Sequence, residues 1–137
     1  MNSHLLLSTK TKLTANAGGL LAFLAAFFSP ILPAMIAAGF LIGADTITGI
    51  MKARKKGVPV TSRRLSNVLT KMVLYQLLII SAHVCELYLV AELPFVKLVL
   101  GAIALVEFKS ILENTSEYLG KDVVKAILEK LGRKPQQ

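Results

Sequence analysis

Residues 20–57 read "LLAFLAAFFSPILPAMIAAGFLIGADTITGIMKARKKG". An uncharged run is broken by two prolines, ends at one aspartate, and is followed at once by basic residues. From Leu13 to Ala44 no residue is charged, a stretch of 32 positions. A helix needs about 20 residues to cross a hydrocarbon layer. One straight helix over the whole stretch would be roughly 48 Å long. Pro30 and Pro33 offer another solution, because each removes a backbone donor and disfavours helix at the residue before it. The stretch therefore predicts a helical hairpin: Leu13–Phe28, a tight turn, then Ala34–Met51. Both arms are short for a span, so a re-entrant pair is the competing reading.

The remaining composition fits this start. The chain has 137 residues, enough for one domain, and 54% of them are hydrophobic. Mean hydropathy is well above zero. A water-soluble domain of this size cannot bury so much apolar surface, which places the chain among membrane proteins. The net charge of +8 does not indicate nucleic acid, because the basic residues lie between apolar runs and not on an aromatic-studded face. The apolar stretch is longer than a signal-peptide core and has no clean cleavage site, so it is expected to remain in the mature protein. Cys85 is the single cysteine and reads as a small apolar helix residue. No metal-ligand spacing, phosphate-binding loop or nucleophile elbow occurs, so neither a cofactor nor an enzymatic activity is expected.

Residues 52–71 carry Lys52, Arg54, Lys55, Lys56, Arg63, Arg64 and Lys71 with no acid. Gly57 and Pro59 predict a loop there, and Thr61 or Ser62 would cap the helix that follows. Two more apolar stretches come next. Met72–Leu93 is interrupted by His83, Glu86 and Glu92, and Phe95–Leu112 carries Lys97, Glu107 and Lys109. In the tail, Val123, Val124, Ile127, Leu128 and Leu131 share one helical face, which predicts a short amphipathic helix before a frayed "RKPQQ" end.

Positive residues favour the cytoplasmic side of a membrane. With four crossings, the 52–71 loop, the N-terminus with Lys10 and Lys12, and the tail all fall inside. Both outer turns then lack Lys and Arg. Three crossings would put Lys10 and Lys12 outside. The expected fold class is an all-α integral membrane protein: a hairpin, two further transmembrane helices and a short amphipathic C-terminal helix. Its parts are a cytoplasmic N-terminus (1–12), the hairpin (13–51), a basic cytoplasmic loop (52–71), a second transmembrane pair (72–112) and a cytoplasmic tail (113–137).

Ionisable groups at membrane depth are costly and normally face protein or water. Asp45, Thr48 and Gly49 form a polar, small-residue stripe on one helix face. Gly39 and Gly43 form a GxxxG upstream, a spacing that lets helices approach closely. The stripe serves either packing within the chain or contact between subunits, with Asp45 bonded to a neighbour or paired to a base such as Arg63. His83 and Glu86 share a face and read as a buried hydrogen-bonded pair or as a titrating site. Lys97 either snorkels outward or pairs with Glu86 or Glu92. Glu107, Ser110 and Asn114 form another polar stripe, either the exit from the membrane or a seam that becomes wet on assembly.

Two segments carry a resemblance. "DTITG" (45–49) resembles the Asp-x-x-Thr-Gly segment of a family of small phage holins, which includes holin-like proteins of clostridial toxin secretion. "EFKSILEN" (107–114) is similar to that family's Glu-x-x-Ser-Ile-x-Glu-Asn segment. The order of hairpin, basic loop, Lys71, a late His and then the Glu-Asn block matches over about residues 35–131. The segment after the Glu-Asn block, "GKDVVKA" (120–126), lacks the family's usual proline. With no second methionine near the start, the dual-start inhibitor of some holins is not expected. The resemblance implies homo-oligomeric lesions in the bacterial cytoplasmic membrane, collapse of the proton-motive force and passage of an endolysin or toxin, without catalysis. Its motif positions here are Asp45, Thr48, Gly49, Glu107, Ser110, Glu113 and Asn114. Anionic lipids are the expected surface partner, and nucleic acid is not. The competing classes are a small channel or transporter subunit lined by His83 and Glu86, and a structural anchor acting through the basic tail.

Overall fold

The computed structural model describes the backbone of residues 3–132, and side chains from residue 16 onward. The expected roles of Lys10 and Lys12 and the frayed end at 133–137 lie outside the described residues. Among the described residues there are five helices: α1 (Ser3–Phe28), α2 (Leu32–Lys55), α3 (Ser62–Tyr88), α4 (Phe95–Leu119) and α5 (Val123–Gly132). Among the described residues there is no strand.

The proline-containing segment does break the apolar stretch. The Ser29 amide still donates to Ala25 O at 2.9 Å, and the Ile31 amide turns back to Phe28 O at 3.1 Å. Pro33 then falls in the first turn of α2, where a missing N–H costs nothing. The chain divides after Pro33 into two compact units. The first is built on α1, whose helix starts earlier than the Leu13 read from the charges. On it Phe23 stacks on Phe27 (centroids 6.4 Å apart), and Phe28 meets Phe27 edge-on at 5.1 Å.

The second unit holds α2 to α5. The basic stretch 52–71 is mostly helical: α2 continues through Lys55 and α3 begins at Ser62, leaving a loop only between them. Basic side chains repel one another weakly in water and do not prevent helix, whereas Gly57 does end it. Gly57 has φ +68°, a left-handed conformation that glycine adopts without a Cβ penalty, and Val58 N bonds back to Ala53 O. At the other end of α3, Leu89 N and Val90 N both bond to Cys85 O. The Glu86 carboxylate accepts the Val96 amide at 2.8 Å. That amide belongs to the first turn of α4, whose N-cap, Pro94, offers no side-chain cap. Glu86 supplies the missing acceptor, and its charge suits the positive end of the helix dipole.

Cross-helix bonds fix the directions. Gln76 Nε2 of α3 donates to Met35 O of α2 at 3.2 Å, and Lys71 reaches Asp45. Lys52 of α2 meets Glu117 of α4. So α2 and α4 run parallel, with α3 antiparallel to both. Buried positions recur at spacings of four and seven: Ala38, Ile42, Gly49 and Ala53 on α2, and Ile103, Glu107 and Asn114 on α4.

The distribution of polarity is inverted relative to a water-soluble bundle. His83, Glu107 and Asn114 are buried, while Phe40 and Leu105 are about three-quarters exposed (74% and 75%). Polar groups are normally outside and large contiguous apolar surfaces inside. The inverted pattern fits hydrocarbon, where polar groups must find partners within the protein. Among the described residues two helices, α2 and α3, are long and apolar enough to cross a membrane. The apolar part of α1, Asn16–Phe28, is shorter.

Candidate functional site

One polar network joins α2, α3 and α4. Asp45 lies on the buried stripe of α2, four residues before Gly49. Lys71 and Tyr75 lie one turn apart on α3, and Glu107 and Asn114 lie two turns apart on α4. Lys71 Nζ donates to Glu107 Oε2 at 2.7 Å and to Asp45 Oδ2 at 3.1 Å. Tyr75 Oη donates to Glu107 Oε1 at 2.6 Å. Asn114 Nδ2 donates to Asp45 Oδ1 at 3.0 Å. Each carboxylate thus receives two donors, one of them the shared ammonium. Glu107 is fully buried. A charged-group hydrogen bond is among the stronger ones, and an unpartnered buried carboxylate is among the costliest defects. The network is therefore what permits two acids within apolar helices.

Gly49 of α2 faces Asn114 of α4 at this level. A Cβ there would sit 3.5 Å from Asn114 Nδ2, an ordinary contact, so only a larger side chain would push the helices apart. A cleft of about 260 Å³ opens beside the network, bordered by Asp45, Gly49, Arg64, Lys71, Ser110 and Asn114. Glu107 is sealed, but the Asp45–Lys71 pair can be reached through this cleft.

The sequence-expected residues distribute unevenly around this network. Asp45, Glu107 and Asn114 are in it and Ser110 borders the cleft. The base paired to Asp45 is Lys71 and not Arg63, which is exposed. Thr48 turns its hydroxyl back onto Ala44 O and Asp45 O, both at 3.0 Å, and contributes local bonds only. Glu113 is exposed and pairs loosely with Lys109 at 3.7 Å. It falls off the seam because the buried stripe steps 107, 110, 114. Gly39 and Gly43 have no atom within 4 Å of a built Cβ, so they mediate no close approach within the described chain. His83 is buried on α3, and Glu86 serves the α4 N-terminus. Lys97 is exposed and makes no ion pair with Glu86 or Glu92 among the described residues. Tyr75 and Gln76 were not singled out from sequence. The signal for Tyr75 was its position one turn after Lys71, on the face that must meet the acids.

The basic end of α2 has an acid after all, more than sixty residues away. Lys52 pairs with Glu117 at 3.2 Å, and Lys56 bonds the other oxygen of the same carboxylate. Lys55 reaches Tyr118 O near the C-terminus of α4, with its ammonium 5.3 Å from the Tyr118 ring centre. A cation suits that helix end. Bonding to Lys56 and Lys52 holds the Glu117 carboxyl below its ordinary range. Arg54, Arg63 and Arg64 are exposed at the same end. Among the described residues no three His, Cys, Asp or Glu converge as a metal site. The arrangement can hold polar groups dry within one chain, or present them to water if α2 leaves α3 and α4.

Neither the curated proteins nor the solved structures contain a match to the chain. A family model does match: that of the bacteriophage holin family, over residues 22–133.

Proposed function

The chain belongs to the bacteriophage holin family, and from that premise we propose that it assembles in the bacterial cytoplasmic membrane and opens lesions. These collapse the proton-motive force and let an endolysin, or a toxin in a secretion setting, reach the far side. The observation that carries this reading is the Asp45–Lys71–Glu107–Asn114 seam inside an otherwise apolar bundle. In a single copy every one of these groups has a partner, so the chain rests in lipid with the charges of the seam paired. When copies gather, α2 parts from α3 and α4, and the seam exchanges its intrachain bonds for water. Each helix then offers one hydrophilic stripe to a lumen and an apolar back to lipid. Gly39 and Gly43, open in the single chain, are free to take a helix of a second copy.

In the proposed topology the end bearing Lys52, Arg54, Lys55, Lys56, Arg63 and Arg64 is cytoplasmic. Four crossings then leave both termini inside. A reporter fused in the loop after Lys55 should be cytoplasmic, and one at Glu92 external.

The decisive test is inducible expression in a bacterium carrying a potential-sensitive dye. The proposal expects a delayed, abrupt loss of potential, with lysis when an endolysin is co-expressed. Asp45→Leu, which removes the acceptor for Lys71 and Asn114, should delay or abolish that event. Gradual leakage proportional to dose would indicate a channel subunit, and an intact potential an anchoring protein. Either would overturn the proposal.

A further inference from the structure

α5 buries none of its residues. Its apolar side chains are left uncovered, with Leu128 62% and Leu131 78% exposed. At 3.6 residues per turn, Val124, Ile127, Leu128 and Leu131 fall within a stripe about 100° wide. Lys125 lies beyond one border of that stripe and Lys130 beyond the other. Glu129 and Asp122 point to the opposite side.

The start of α5 is fixed. Gly120 adopts φ +71° to end α4, the Ser116 hydroxyl accepts the Val123 amide at 3.1 Å, and Asp122 Oδ1 accepts the Lys125 amide at 3.0 Å. The helix therefore departs at a set turn from the end of α4. That is the end where Lys52, Lys55 and Lys56 gather around Glu117 and Tyr118.

From these observations we infer that α5 lies in the plane of the bilayer surface and binds anionic phospholipid headgroups. Its apolar stripe enters the acyl boundary, and Lys125 and Lys130 reach phosphates on either flank. The charge pattern selects this occupant. Cations on both borders and acids on the far face suit a negative plane beneath the helix and water above it. The basic α2 end continues the same positive surface. The inference rests on α2 and α3 spanning the membrane but not on lesion formation.

The test uses the full chain in a Cys85→Ser background, reconstituted at low protein-to-lipid ratio. Leu128→Cys or Ala126→Cys is labelled with an environment-sensitive dye. In vesicles of phosphatidylcholine with phosphatidylglycerol, dye on Leu128→Cys should emit to the blue and be quenched by nitroxide-labelled lipid. Dye on Ala126→Cys should be quenched by iodide. Lys125→Gln and Lys130→Gln should each weaken the α5–surface equilibrium roughly fivefold, as should removing phosphatidylglycerol in larger measure. Identical behaviour at the two positions would overturn the inference. So would protection of Leu128→Cys that is indifferent to lipid charge and grows with protein density, which would assign the face to a second copy. Resistance of the same samples to alkaline extraction reports separately on the spanning helices. Failure of that reading is therefore distinguishable from failure of this one.

Discussion

Lys71 stands between two acids on two different helices, 3.1 Å from Asp45 and 2.7 Å from Glu107. Replacing it with methionine would keep most of its length and remove the only cation of the network. Two carboxylates would then face each other through apolar surroundings. Breaking a buried pair in this way costs about 3–5 kcal/mol. Lys71→Met should accordingly lower the thermal midpoint of the detergent-solubilised chain, or leave it unfolded. Lys71→Met combined with Glu107→Gln should recover part of the loss, because the amide can still accept from Tyr75. Thermal melts of both variants check the order. Gly49 answers a different question. The 3.5 Å gap to Asn114 Nδ2 admits a methyl group, so Gly49→Ala should be close to neutral. Gly49→Leu forces α2 off α4, breaks the Asn114–Asp45 bond and costs about 1–3 kcal/mol by overpacking.

The pairing of α2 with α4 has a second anchor at the basic end, and its dependence on pH has a definite sign. Glu117 is held below its ordinary value of 4.5 by Lys56 and Lys52. A carboxyl that is more acidic when folded contributes its stabilisation above the unfolded value. That contribution fades as pH falls below 4.5 and through the lower folded value. The α2–α4 end should loosen over that acidic interval and not in the neutral range. Spin labels placed near Met51 and Leu119 should report a widening distance distribution there. Glu117→Gln should abolish the pH step, and high salt should shrink it, since Glu117 is at the surface. This anchor was invisible in the sequence, because spacing along a chain does not reveal which helix ends share a membrane face. The proline break, the start of α3 just after Thr61 and the apolar stripe of α5 were legible, because each rests on neighbouring residues, although the Thr61 hydroxyl makes no cap bond. Asp45, Glu107 and Asn114 stood out as polar positions in apolar helices. Their partner did not: Lys71 looked like one more basic residue of a loop, and only the register of α3 against α2 and α4 turns it inward. Glu86 was likewise read against His83 one turn away, while its bond is to an amide beyond the next turn.

At the scale of the molecule, the apolar outside and the polar seam make opposite demands. The exterior is matched to lipid, and the seam is quiet only while α2 stays against α3 and α4. A lesion large enough for a folded protein needs a wet wall, and the described residues hold their buried acids in this seam. If the wall is made by opening the bundle, fastening α2 to α4 must prevent it. Gly49 and Asn114 face each other across that junction, so Gly49→Cys with Asn114→Cys, in a Cys85→Ser background, provides the fastener. Oxidised or bridged by a short reducible cross-linker, this chain should insert into vesicles and leave a trapped fluorescent protein inside. After reduction it should release that cargo with the delay of the unlinked chain. Release by the fastened form would mean that intact bundles assemble side by side, with the seam dry throughout and the lumen lined by some other surface. The seam would then be a device for folding acids into lipid and no part of the opening, which is why the comparison decides between the two roles.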